Sequence, residues 1–186
     1  IDFDLSPDGE WMAYAQHDLD FNSDIFLMRL DGSQAPINLT RHPDNDEHPR
    51  FSADGRLLVF TSERKAEAYD IMVVALDAEY DGLLDADQET YHEEAKKAAA
   101  DRDHQEATPN VWSWSLDDAW LRLRRLTTLE GDETRPWMTP GGEAVVFQGS
   151  GSNSGLHRID WKGENRTKIG TGSVQGFSTD GKRLLR

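Results

Sequence analysis

The chain has 186 residues and 37% hydrophobic content, enough to bury a sizeable core, and its longest apolar runs of four to six residues fall far short of the roughly 20 that span a bilayer as a helix. A net charge of −15 argues against nucleic acid as a partner, because duplex affinity rests on Lys and Arg neutralising phosphates. With no cysteine, disulfides, thiolate catalysis and Cys-ligated zinc are excluded.

The first unit, residues 1–40, reads as four strands. Phe3 and Leu5 alternate with Asp2 and Asp4; Ser6-Pro7-Asp8-Gly9 turns the chain into Trp11–Ala15; Ile25–Leu30 leads to an Asp31-Gly32 turn; and Ile37–Leu39 follows. The turn has a mechanism: proline presets φ at its second position, the aspartate bonds nearby backbone and the glycine accepts positive φ.

The pattern returns in the second unit, residues 41–127. Ser52-Ala53-Asp54-Gly55 precedes Leu57–Phe60, and Asp70-Ile71-Met72 stands 46 residues after Asp24-Ile25-Phe26. Its fourth strand is delayed. Residues from about 78 to 110 form a charged insertion, and the stretch Asp77–Glu106 holds 11 acids against three bases. Within it, 89–103 reads as a helix of strong formers. Its apolar stripe is so poor that a solvated or partly disordered arm, dispensable for the fold, is expected. Val111–Ser115 then places Trp112 and Trp114 on one face, and Leu121–Thr127 supplies the missing strand.

The third unit, residues 128–170, repeats the turn as Thr139-Pro140-Gly141-Gly142, followed by Ala144–Gln148 and Leu156–Trp161; a fourth opens at 171–186 with Ser178-Thr179-Asp180-Gly181. The spacing from the Leu-Thr threonine to the next turn is 12 in both cases, Thr40 to Ser52 and Thr127 to Thr139. Four-stranded units every 40 to 50 residues are the signature of β-propeller blades. The expected class is therefore all-β: four-stranded antiparallel blades in a partial ring, with a charged helical insertion in the second blade. Three and a fraction blades are expected to need the rest of a longer chain to close.

In an up-and-down blade successive connections alternate between two ends. The inter-blade links and the loops 16–23, 63–69 and 149–154 must share one end, and the Asp-Gly turns and the arm the other. Because the first set varies while the second repeats, recognition is expected at Asp44, Asp46, Glu47, His48, Asp132, Glu133 and Arg135.

The repeat resembles the WD-like propeller of the Tol translocation system, of tricorn protease and of prolyl oligopeptidase relatives. The charged arm before Trp114-Ser115-Leu116-Asp117-Asp118, the Arg122–Thr127 strand, Gly131–Pro136 and Ile159–Gly163 resemble tricorn-like serine peptidases of the tail-specific protease clan more specifically. Trp114 stands where that pattern has an aliphatic residue and Asp118 where it has a glycine. The resemblance implies a segment without catalytic residues that guides or gates a polypeptide toward a peptidase domain elsewhere in the parent, and it leaves open homo-oligomerisation of that parent. The alternatives are a Tol-type protein-interaction propeller without enzymatic activity and the propeller of a prolyl oligopeptidase-like enzyme. It implies no cofactor and no membrane partner, and a soluble bacterial setting, cytoplasm or periplasm.

Other candidate motifs in the sequence read as ordinary turns, loops and core. His42–His48 packs two histidines and three acids into seven residues, but reads as an ordinary link whose counterpart 131–135 lacks histidine. Asp77, Glu79, Asp81, Gly82 and Asp85 fall at calcium-loop positions, yet Gln88 occupies the twelfth, where a bidentate carboxylate is expected. Residues 149–155 lack the Gly-Lys-Ser/Thr of a phosphate loop. Trp11, Trp120 and Trp161 are expected to pack between sheets.

Overall fold

Each apolar run follows a turn closed by its own hydroxyl. Ser6 Oγ accepts the Trp11 N–H at 2.9 Å and donates to Asp8 Oδ1 at 2.5 Å. Ser52 repeats this with Leu57 at 3.0 Å and Asp54 at 2.5 Å. The hydroxyl thus satisfies the first N–H of the second strand and sets its register.

The computed structural model describes residues 2–64, 68–100, 114–178 and 182–185. The strands are β1 (Phe3–Leu5), β2 (Trp11–His17), β3 (Ser23–Arg29), β4 (Ile37–Asn38), β5 (Asp46–Phe51), β6 (Leu57–Ser62), β7 (Asp70–Ala75), β8 (Leu123–Arg125), β9 (Glu133–Met138), β10 (Ala144–Gly149), β11 (Gly155–Asp160), β12 (Thr167–Gly170), β13 (Gly176–Phe177) and β14 (Leu184–Leu185). They form three antiparallel four-stranded sheets, β1-β2-β3-β4, β5-β6-β7-β8 and β9-β10-β11-β12, and the two-stranded start of a fourth. These are propeller blades in a partial ring. Trp112 and the turn residues Thr179–Gly181 lie outside the described residues.

The Leu-Thr and Asp-Ile repeats are partners. Thr40 Oγ1 accepts the Ile25 N–H at 3.1 Å and donates to Asp24 Oδ1 at 3.0 Å. Thr127 Oγ1 accepts the Ile71 N–H at 2.8 Å. A side chain two residues before each threonine completes the lock, Asn38 on Asp24 at 2.7 Å and Arg125 on Asp70 at 2.7 Å.

Two cores lie between sheets. One joins Ala13, Ile25, Leu27 and Leu39 to Phe51, Leu58, Phe60, Met72 and Val74; the other joins Leu57, Val59, Ile71 and Val73 to Met138, Val145, Phe147 and Ile159. Every residue of β6 and β7 is buried, because the second blade has a blade on each side. Each fully buried Leu, Ile or Phe contributes about 1.5–3 kcal/mol. The first strands lie side by side, β1 against β5 and β5 against β9. The residue two before each turn hydroxyl reaches across: Asp4 Oδ2 accepts the Phe51 N–H at 2.8 Å, and the Arg50 guanidinium lies 4.9 Å from the Trp137 ring.

The acidic arm is not a solvated appendage as far as it is described. Asp77, at the first of the calcium-loop positions set aside above, caps the short helix α1 (Ala78–Asp81), accepting the Glu79 N–H at 2.8 Å while Arg56 lies 3.4 Å from its other oxygen. The helix α2 (Asp85–Ala100) then docks through polar and aromatic groups, with Gln88 and His92 buried. His92 Nδ1 contacts Gly141 O at 3.1 Å and Nε2 contacts the Tyr80 hydroxyl at 2.7 Å. A carbonyl can only accept, so Nδ1 carries the proton and Nε2 receives the Tyr80 O–H. His92 also packs 5.0 Å from the Trp161 ring. Trp114 stacks on Phe51 with ring centres 5.9 Å apart, meets Trp11 at a tilt at 5.3 Å, and its Nε1 donates to Gly55 O. Trp120, by contrast, is exposed, on a 3-10 turn at Ala119–Arg122 rather than between sheets.

Docking explains why the third turn departs from the repeat. A Cβ on Gly141 would lie 2.7 Å from Lys96 Cα, so the aspartate of the other turns has no room. Glu143 takes its place, accepting the Thr139 hydroxyl at 2.6 Å.

Gly141→Asp, which restores the repeat, is therefore expected to destabilise the chain and to accelerate amide exchange across 85–97 while leaving the first blade protected. Hydrogen-exchange mass spectrometry checks this. Burial also lowers the His92 pKa. Its folded value lies below the ordinary 6.5, so this contribution is present above that pH and is lost on acidification. Protection of α2 is expected to fall below about pH 6.5, and His92→Gln is expected to weaken that dependence.

Candidate functional site

The connections at one end of the blades are tied to one another as strand parity requires. Ser23 N–H donates to Asn45 Oδ1 at 3.1 Å, Asn45 Nδ2 to Glu63 Oε2 at 2.8 Å and Glu133 N–H to Tyr69 O at 2.7 Å. Asp132 N–H donates to Ser150 Oγ at 2.8 Å. At the opposite end the arm covers the turns at Gly55 and Gly141. Among the described residues, the varied end is thus the uncovered one.

The seven residues singled out from the sequence divide there. Asp44 and Arg135 are exposed, Glu47, His48 and Asp132 half-buried, and Asp46 and Glu133 fully buried. The last two are corrected from contact residues to joint residues. They open β5 and β9 at equivalent positions, and both strands carry a register break. Two residues on, His48 and Arg135 have φ of 56° and 52°, a left-handed conformation that costs a non-glycine residue about 1–3 kcal/mol. Such a bulge turns one side chain out of the pleat while its neighbour stays inside.

The sequence reading did not single out Asp2, yet it stands four residues before its turn hydroxyl, as His48 and Arg135 do. Successive blades therefore carry a carboxylate, an imidazole and a guanidinium at one rim position. His48 Nε2 lies 3.9 Å from Asp2 Oδ2 and His48 Nδ1 3.9 Å from Glu47 Oε2. His42 turns elsewhere, toward Asp44 at 3.4 Å, so the two histidines of the link do not converge. Among the described residues no His, Asp and Glu group has metal-binding geometry.

The two buried acids are accommodated differently. Asp46 Oδ2 meets Arg64 at 2.6 Å, with burial raising its pKa against that cation. Among the described residues Glu133 pairs with no cation, and neither of its oxygens has a donor within full hydrogen-bond distance; the same is true of Asp70 Oδ2 beside it. Burial first, then the Asp70 carboxylate, pushes Glu133 up to about 7, with the Thr127 hydroxyl pulling the other way. A protonated Glu133 donating to Asp70 Oδ2 satisfies that oxygen and one of the two Glu133 oxygens at once.

The sign follows. The folded pKa, about 7, lies above the ordinary 4.5, so this group favours folding at low pH and loses that contribution as pH rises between the two values. Stability is expected to drop across that window, and Glu133→Gln to flatten the drop and raise stability at pH 8; denaturant melts at pH 5 and pH 8 measure both.

No protein-family model and no curated protein sequence matches the chain. Solved structures do. Over 98% of its length it superposes on a TolB-like protein of Agrobacterium tumefaciens with TM-score 0.64 and 20% identity, covering 57% of that protein. It superposes on TolB from Acinetobacter baumannii with TM-score 0.60 and 18% identity over 99% of its length, covering 37% of that protein. On tricorn protease the TM-score is 0.66 at 16% identity, over 98% of this chain and 19% of that one. The chain therefore has the Tol-type β-propeller fold and spans just over half, or less, of the proteins it is similar to.

Proposed function

We propose that this chain is a non-catalytic propeller segment that receives polypeptide on its uncovered end. In the favoured form, it guides or gates substrates toward a peptidase centre outside the segment in a tricorn-like parent. One observation carries this reading: the arm occupies the end where the turns repeat, while the other end displays Asp2, His48 and Arg135 at one rim position, with Asp44, Glu47 and Asp132 around them. Clustered charge of both signs steers and orients a chain without cleaving it. Asp46 and Glu133 act behind this surface, holding the links in place.

A second reading, a Tol-type interaction propeller, draws on the loop between β2 and β3. There Leu19 and Phe21 are 98% and 83% exposed on a tip fastened by Asp18, whose carboxylate accepts the Asp20 and Asn22 N–H groups at 2.8 and 2.9 Å. An apolar tip held in one conformation suits a folded partner.

The segment alone is expected to hydrolyse neither fluorogenic peptides nor unstructured polypeptides. In the full-length parent, Glu47→Lys combined with Asp132→Lys is expected to slow processing of long polypeptides by about tenfold while leaving hydrolysis of very short peptides unchanged. Equal losses for both substrates, or none, would count against gating. A parent without peptidase activity, whose protein partner is lost on Leu19→Ser/Phe21→Ser, would establish the second reading.

A further inference from the structure

We propose that the face of the first blade turned away from the second is a docking surface for a further blade of the same repeat, one that belongs to the parent polypeptide and presents small or β-branched side chains. The proposal holds equally for a tricorn-like and for a Tol-type parent, because it concerns how the ring is built and not what its uncovered end binds.

The repeat identifies the surface position by position. The face that the second blade turns to the first carries Pro49, Phe51, Leu58, Phe60, Met72 and Val74, all buried. At the same positions of the third blade, Pro136, Met138, Val145, Phe147, His157 and Ile159 are buried as well. Forty-six residues before the second-blade set stand Phe3, Leu5, Met12, Tyr14, Phe26 and Met28, apolar or aromatic throughout, and none of them is buried. The residue before the turn hydroxyl shows the contrast: Leu5 is 48% exposed, against 9% for Phe51 and 8% for Met138. Tyr14 and Phe26 stack with ring centres 5.8 Å apart, as Phe147 and His157 do at 5.6 Å in the buried set of the third blade. The first blade thus carries on an open face the arrangement that the other two carry under a neighbour, and a contiguous apolar patch of this kind marks an interaction surface.

The two covered interfaces also specify the occupant. In each, a bulky face meets a smaller one: Phe51, Leu58 and Phe60 share a core with Ala13, Ile25 and Leu27, and Met138, Val145 and Phe147 share one with Val59, Ile71 and Val73. Sheets stack about 10 Å apart, and bulk on both sides would overfill that layer. A blade covering Tyr14 and Phe26 therefore needs the smaller set. Within the chain those sets are taken: Ala13, Ile25 and Leu27 are buried, Val59, Ile71 and Val73 are buried, and so are Val146 and Leu156 at the matching positions of the third blade. Among the described residues a second copy of the chain has no free small face to offer, which leaves a blade of different sequence. The interfaces already formed join successive segments of one polypeptide, and the chain spans just over half, or less, of the propeller proteins it superposes on.

The test reads thiol reactivity in the purified full-length parent. Met28→Cys places a thiol on the face in question, Val74→Cys at the equivalent covered position and Asp31→Cys on an exposed turn, and maleimide labelling is followed at each site by peptide mass spectrometry. In the parent, Met28→Cys is expected to react at least about 100-fold more slowly than Asp31→Cys, as Val74→Cys does, because labelling then waits on local opening. In the 186-residue chain it is expected to react within about tenfold of Asp31→Cys while Val74→Cys stays slow. Tyr14→Cys, on the adjoining strand, repeats the comparison and keeps it decisive if Met28→Cys disturbs the sheet. Three results overturn the proposal. One is exposed-like reactivity of both thiols in the parent, and another is slow reaction of both in the 186-residue chain as a monomer, which means that no further blade is needed. The third is protection that falls on dilution together with dissociation of a dimer in sedimentation velocity, which assigns the face to a second copy. Protection in a monomeric parent that is absent from the shorter chain is the expected outcome.

Discussion

A four-stranded sheet that is apolar on both faces must have a neighbour on each side, and this constraint governs the rest of the molecule. The second blade meets it, with β6 and β7 buried throughout. The first blade meets it on the face of Ala13, Ile25 and Leu27, while Phe3 and Leu5 on the other face remain about half exposed. Blade-to-blade burial is the dominant favourable term, since each blade alone is a thin sheet with little core of its own. The hydrogen bonds of the repeat prepare the sheets for stacking. The turn hydroxyl sets the register of the second strand, and the Thr-Asp lock fixes where the fourth strand ends and the link begins.

Stacking brings acidic link residues to each joint, and a buried carboxylate without a partner is costly. The first joint supplies a cation, Arg64, to Asp46. The second supplies a proton, which Glu133 can share with Asp70. Equivalent positions thus respond to pH differently: a guanidinium keeps its charge at any ordinary pH, whereas a shared proton is lost near neutrality. The arm adds a dependence of the opposite sign, because His92 docks as the neutral imidazole. Acid loosens the arm while base loosens the second joint, and the two act at opposite ends of the same blade.

This division of the two ends bears on function. The arm fastens the turn end with buried polar contacts, and Gly141 gives up the repeat's aspartate so that α2 can approach. The link end is held together by short hydrogen bonds among loops, and no described segment of the chain lies over it. Its bulges keep Asp46 and Glu133 inside while turning His48 and Arg135 toward the rim. Charged side chains that differ from blade to blade are thus presented at one repeated position: Asp2, His48 and Arg135.

The repeat was legible in the residues themselves, since turn chemistry and strand alternation are local and the spacings of 46 and 12 recur. Blade boundaries, the delayed fourth strand and the segregation of loops to two ends all follow from that local order. The docking of the arm did not, because its contacts are made by Gln88, His92 and Tyr80, whose polar atoms hide them from any reading based on an apolar stripe. Nor could the sequence separate Asp46 from Asp44, or Glu133 from Asp132: one residue along a bulged strand reverses which side chain faces the joint, and only the packed neighbour decides which is buried. The same holds for Asp2. Its position in the repeat was present from the start, but its Oδ2 is shut off from solvent only because the second blade folds against it.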